Sequence, residues 1–168
     1  MNGPTSASLT ERVDDALTPG RPDPRVGDVM LRRPKVLDAQ ATVDEARVAL
    51  ANDHVHMVLL SQGSTLVGTL VRADLPPPIQ RSDQRSVEGS GPALPWSTLR
   101  NRTVPSAMSA DAARELLIAR GLRRLAVVDH DGTLLGLMCL KRSRTGFCSD
   151  EDVASRGQSR VLSRQAAD

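Results

Sequence analysis

Apolar positions along this chain recur with two different periods, and each pattern occurs twice. In the first half, Val43, Ala46 and Leu50 stand at i, i+3 and i+7, the spacing that lines one face of a helix. Thr42 precedes Glu45 by three residues, an arrangement in which hydroxyl and carboxylate cap a helix start reciprocally. In the second half Ala110, Ala113 and Leu117 repeat the spacing, with Ser109 as the expected cap. Gly121 supplies the expected stop, because glycine accepts the left-handed conformation that ends helices.

Behind each helix comes an unbroken apolar run, Met57 to Leu60 and Leu125 to Val128. Turn residues follow, Gly63-Ser64 and Asp131-Gly132, and then a second run, Thr65 to Val71 and Thr133 to Cys139. Such turns between such runs predict hairpins. Continuous rather than alternating runs predict strands buried on both faces. Thr65, Leu66 and Gly68 recur identically as Thr133, Leu134 and Gly136. Short extended pieces at Val36-Leu37 and Thr103-Val104 precede the helices, and a further helix is expected from about Asp150, capped by Ser149.

The predicted fold is therefore α/β (α+β), with the order β-α-β-β-α used twice. A crossover through a helix makes the flanking strands parallel. One block of about fifty residues is too small to be secure alone, so the two pseudo-symmetric repeats are expected to pack against each other through their sheets. Proline, glycine, serine and threonine punctuate the rest. Residues 1–24 read as a flexible arm holding at most a short helix over Ser8 to Leu17, and residues 76–93, opening with three prolines, read as a linker. The repeats span residues 25–75 and 94–158, and residues 159–168 form a tail.

Two stretches carry a family resemblance: "VGDVMLRRPKVLDAQATVDEARVAL…HMVLLSQGSTLVGTLVRADL" and "STLRNRTVPSAMSADAARELLIARGLRRLAVVDHDGTLLGL". They resemble tandem cystathionine-β-synthase (CBS) domains. The resemblance implies a disc-like pair that commonly dimerises and binds adenosine-containing ligands (AMP, ADP, ATP, S-adenosylmethionine, sometimes NAD) in clefts between the repeats. It implies regulation without catalysis. Members hold the ribose with a G-h-x-[ST]-x-x-D signature after the hairpin. Here the first copy keeps Asp74 but has Val71 at the hydroxyl position, with Arg72 expected at a phosphate. In the second copy the equivalent positions are Cys139 and Arg142, while Gly146, Ser149 and Asp152 restore the full spacing ten residues on. Ser149 is also readable as a helix cap with acidic residues in the first turn, and one residue can serve both roles. The resemblance places Val36, Met57 and Val58 against one adenine, and Leu125 and Ala126 against another.

Composition narrows the alternatives. With one Phe, one Trp and no Tyr, the expected core is aliphatic, and the scarcity argues against base-stacking nucleic-acid modules. Twenty-two basic and 20 acidic residues give a formal charge of +2, which points to neither nucleic acid nor a membrane surface. No apolar run is long enough to span a bilayer and no signal peptide is visible, so a cytoplasmic protein is expected. His54 and His56 lack further ligands at metal spacing, and Asp129, His130 and Asp131 crowd a hairpin tip as a solvated turn. Cys139 and Cys148 form a candidate redox pair, although cytosolic thiols in such surroundings are usually inert. No nucleophile, zinc or phosphate-loop motif is present, so no catalysis and no metal are expected. Two functions remain open: a nucleotide sensor acting on a separate partner protein, and an adaptor with vestigial clefts that works by dimerisation and partner contact.

Overall fold

The computed structural model describes residues 23–77 and 91–154; the expected arm helix, the middle of the linker and the tail lie outside the described residues. The elements are α1 (Val26–Val29), β1 (Val36–Asp38), α2 (Val43–Ala51), β2 (Val58–Gln62), β3 (Thr65–Leu70), β4 (Thr103–Pro105), α3 (Ala110–Ala119), β5 (Arg124–Val128) and β6 (Leu134–Cys139). They form two three-stranded sheets, β1-β2-β3 and β4-β5-β6. In each, the strands flanking the helix run parallel and the hairpin strands antiparallel.

The helices begin differently. Thr42 Oγ1 accepts from the Glu45 N–H at 3.2 Å while the Glu45 carboxylate accepts from the Thr42 N–H at 2.8 Å, so the expected reciprocal cap forms. Ser109, by contrast, makes no side-chain cap. The carbonyl of Pro24 accepts from the Ala110 N–H at 2.8 Å and replaces it. At the other end of α3, Gly121 has φ +63° and its N–H reaches the Ile118 carbonyl, while the Leu122 N–H reaches that of Leu117. This pair of bonds satisfies the carbonyls left open at a helix end.

Each sheet is covered on both faces. Val43, Ala46 and Leu50 of α2 pack on Val58, Leu60 and Leu70, and Ala113 and Leu117 of α3 pack on Leu125, Val127 and Met138. Between the sheets lie Leu59, Leu66, Ala126 and Leu137 with Leu31 and Met57. The continuous apolar runs thus serve a helix with one face and the opposite sheet with the other. Pairing also shows a one-residue slip between the copies. Val36 pairs with Leu59 and Thr103 with Ala126, so the partner of Leu59 in the second copy is Ala126 and that of Met57 is Arg124. Because strand side chains alternate, such a slip decides which face each residue takes.

The repeats also exchange their lead-in segments. Leu31, just before β1, forms a two-way bridge with Leu137 of β6, with N···O distances of 2.8 and 2.9 Å. Thr98, just before β4, forms the matching bridge with Thr69 of β3, both at 3.1 Å. Val26 likewise packs into the second repeat, under Val104 and Leu117. The hairpins meet at Thr65 and Thr133, where Leu66 N–H donates to Gly132 and Leu134 N–H to Ser64. Gly68 and Gly136 lie under the crossings. A Cβ on Gly136 would collide with the Leu31 carbonyl oxygen, and one on Gly68 with the Ser97 side chain. The recurring Thr-Leu-x-Gly is thereby explained: threonine and leucine join the hairpins, and glycine leaves room for the other repeat, the Leu31 carbonyl at Gly136 and the Ser97 side chain at Gly68.

Gly136→Ala is expected to destabilise the protein by about 2–3 kcal/mol, since a backbone must move to admit the methyl group. Gly146→Ala, where nothing lies within 4 Å of the new Cβ, should stay within about 0.5 kcal/mol of the parent. Urea unfolding of the two variants checks both values.

Candidate functional site

The pseudo-symmetry creates two equivalent places where a strand entrance of one repeat faces the segment after the hairpin of the other. One is open. Arg33, Pro34 and Lys35 lead into β1, His54 to Met57 lead into β2, and Arg124, Leu137, Cys139, Cys148 and Val153 come from the second repeat. Together with Leu31 and Asn52 they enclose a cavity of about 390 Å³. Arg33, Lys35, Arg124 and two histidines line it, and none of its lining residues carries a carboxylate. Burial holds the His56 imidazole below its usual pKa, and the charges of Arg124, Arg72, Arg123 and Arg142 act in the same direction. The charged groups lining the cleft are thus all basic, which gives it a positive potential.

The other is closed by an ion pair. Asp74 lies on a short 3₁₀ turn after β3, and its carboxylate accepts from the Val71 N–H at 2.7 Å. Arg102, just before β4, grips both carboxylate oxygens, one at 2.9 Å. Their side chains are only 16% and 18% exposed. Burial alone would raise the Asp74 carboxyl, but the bonds from Arg102 and Val71 and the Arg102 charge hold it below the usual range.

A charge difference explains the asymmetry. By the pairing of the parallel strands, Lys35 is the equivalent of Arg102, and by the repeated Thr-Leu-x-Gly, Arg142 is the equivalent of Asp74. Opposite charges pair across one place, whereas both equivalents in the other are basic and cannot pair.

The CBS domain family model matches residues 26–75 and 99–141, more than half of the chain. The chain belongs to the CBS domain family. A comparison with curated proteins gave no match. Among solved structures, the chain shares its fold with CBSX2 in complex with AMP (TM-score 0.56, 24% identity, 82% of this chain and 98% of that one). The CBS domain protein PAE2072 from Pyrobaculum aerophilum, complexed with AMP, is similar (TM-score 0.54, 23% identity, 71% and 94%). So is the cytosolic domain of the Mg2+ channel MgtE in complex with ATP (TM-score 0.55, 16% identity, 70% of this chain). The chain spans 46% of that MgtE domain.

Against this CBS framework, the residues singled out in the sequence fall in different places. Met57 lines the open cleft, and Val36 is exposed at the start of β1. Val58 and Leu125 are fully buried under α2 and α3, and Ala126 is buried between the sheets, so none of these three side chains reaches a cleft. Arg72 does not line the open cleft; its Nε donates to the Leu50 carbonyl at 2.7 Å and its Nη2 to that of Asn52 at 3.3 Å, closing the end of α2. Ser149 and Asp152 form a reciprocal cap, with bonds of 3.2 and 3.1 Å, and Asp152 pairs with Lys141 at 3.1 Å. The helix they start, 150–154, brings Cys148 and Val153 to the open cleft.

The cleft cations Arg33, Lys35 and Arg124, and the plug Arg102, were not singled out in the sequence. Their signal was positional: each stands at the entrance of a first or second strand.

Arg102→Ala and Asp74→Ala should each cost about 1–2 kcal/mol, and the double variant less than their sum. The sign of the pH effect follows from the lowered Asp74 carboxyl. Its contribution is present above about pH 4 and is lost as pH falls through the folded value, so Asp74→Asn should flatten the acid limb of stability. Denaturant titrations between pH 2 and 7 measure both effects.

Proposed function

We propose that this chain is a regulatory module that binds one adenine nucleotide per CBS pair, in the open cleft, and acts on a separate partner protein. The observation that carries the reading is the basic, carboxylate-free cavity of about 390 Å³ between the repeats. A volume of that order suits a nucleotide-sized ligand, and its cations suit phosphate oxygens. Arg33, Lys35 and Arg124 would hold the phosphates, and Met57 with Leu137 would offer apolar contact to the base. AMP in CBSX2 and PAE2072 and ATP in MgtE support an adenosine phosphate as the ligand. ADP, S-adenosylmethionine and NAD share the adenosine group, and the phosphate-bearing ones among them suit the cations better.

The reading assigns no catalysis and no required cofactor or metal. It includes a homodimer, supported by Val48 and Ile118, apolar and exposed on α2 and α3. It sets the module in the cytoplasm; among the described residues no helix is long and apolar enough to cross a membrane. A second reading, an adaptor with vestigial clefts, has the Arg102–Asp74 plug in its favour, because that pair occupies the carboxylate expected to hold a ribose.

Calorimetric titration of the dimer or monomer with AMP, ADP, ATP, S-adenosylmethionine, NAD and GMP separates the readings. The sensor predicts one site per chain for an adenosine phosphate, weakened about tenfold or more by Lys35→Ala or Arg124→Ala and retained in Asp74→Ala. Absence of binding by every compound would favour the adaptor. Burial first and the neighbouring arginines second hold His56 low, and bound phosphates offset the second cause, so binding should take up protons and tighten as pH falls below about 6.5. The heat of binding in buffers of different ionisation enthalpy reports the uptake.

A further inference from the structure

Cys139 ends β6, and the chain turns back at once through a tight loop. Leu140 bridges Phe147, the Lys141 N–H donates to the Gly146 carbonyl at 2.8 Å, and the Cys148 N–H donates to the Cys139 carbonyl at 2.8 Å. These bonds hold the two cysteines side by side, with Sγ atoms 3.0 Å apart. Both are free thiols and both are largely buried, yet both form part of the wall of the open cleft. A small molecule entering the cleft meets the pair directly.

We propose that Cys139 and Cys148 form a reversible intramolecular disulfide, a modification site set into the wall of the cleft. The sulfur atoms need to approach by about 1 Å to reach bonding distance, a movement within the reach of side-chain rotation in a ten-residue loop. The oxidant is a low-molecular-weight disulfide. The thiolate of one cysteine attacks it, breaking its S–S bond, forming a mixed disulfide and releasing one small thiolate, which takes up the displaced proton. The second cysteine then attacks the protein sulfur of that mixed disulfide and releases the second small thiol. Two protein thiols are oxidised by two electrons, and one small disulfide becomes two thiols.

The surroundings set the resting state. Burial pushes the Cys139 thiol up to about 11, and its hydrogen bond with Cys148 acts in the same direction, while the neighbouring Arg124 acts against them. Cys139 therefore rests as a thiol, and the bond forms only when the redox poise changes. Once joined, it fastens the segment that carries Cys148 and Val153 to β6, and so alters one side of the cleft. The disulfide itself does not depend on the nucleotide reading, and its test uses no nucleotide.

The full-length protein is equilibrated in mixtures of reduced and oxidised glutathione, quenched in acid, alkylated with N-ethylmaleimide in denaturant and weighed intact. The expected result is one two-electron transition. The reduced chain takes two maleimides, the oxidised chain takes none and is about two mass units lighter than the unalkylated reduced chain, and dithiothreitol restores the first. The midpoint should not change with protein concentration. Cys139→Ser and Cys148→Ser serve as traps, and at least one should retain a glutathione adduct that the parent sheds. Two thiols still alkylated across the whole range, a persistent glutathione adduct on the parent, or disulfide-linked dimers would each overturn the proposal.

Discussion

Where the lead-in segment of each repeat crosses the third strand of the other, the two repeats lie so close that a Cβ on Gly136 or Gly68 has no room. Leu31 bridges Leu137 above Gly136, and Thr98 bridges Thr69 beside Gly68. Almost everything else follows from this mutual crossing. It fixes the distance between the sheets, so that Leu59, Leu66, Ala126 and Leu137 close into one shared core. It delivers Arg33 and Lys35 to the second repeat, and Arg102 to the first. A small repeat cannot bury enough apolar surface alone, and here each one also depends on a piece of chain that precedes the other.

Duplication of a fold does not duplicate its chemistry. The two clefts share a backbone plan and differ in a few charges. Arg102 faces Asp74 and forms a two-pronged, largely buried pair, which consumes both carboxylate oxygens. The equivalent residues in the mirrored place, Lys35 and Arg142, are both basic and form no such pair, and the cavity lined by Arg33, Lys35 and Arg124 lies between the repeats there. The closed side contributes rigidity near the Thr69–Thr98 crossing, and Arg102 also approaches the Thr69 carbonyl at 3.5 Å. The open side is left to bind.

The alternation of helical and strand periods made the fold legible, because apolar burial is the dominant force and leaves its period in the sequence. The reciprocal cap at Thr42 and the glycine stop at Gly121 were equally local and were read correctly. The cap at Ser109 was not, because its partner, the Pro24 carbonyl, comes from a distant part of the chain. The site was harder for the same reason. The family resemblance set Val58, Leu125 and Ala126 against adenines, but strand pairing makes Leu125 the equivalent of Val58 and turns both toward the helices, while Ala126 lies between the sheets. Asp74 was visible as an acid at a telling position, but its partner Arg102 lies 28 residues away, and only the folded chain brings them together.

The central claim is that the crossings make the two repeats one cooperative unit. Native-state hydrogen exchange on the intact protein tests it most directly. The bridging amides of Leu31, Leu137, Thr69 and Thr98 should exchange with the same free energy, and the same denaturant dependence, as core amides of both sheets such as Leu60 and Val127. Two separate classes of protection, with one sheet opening while the other stays closed, would contradict the account.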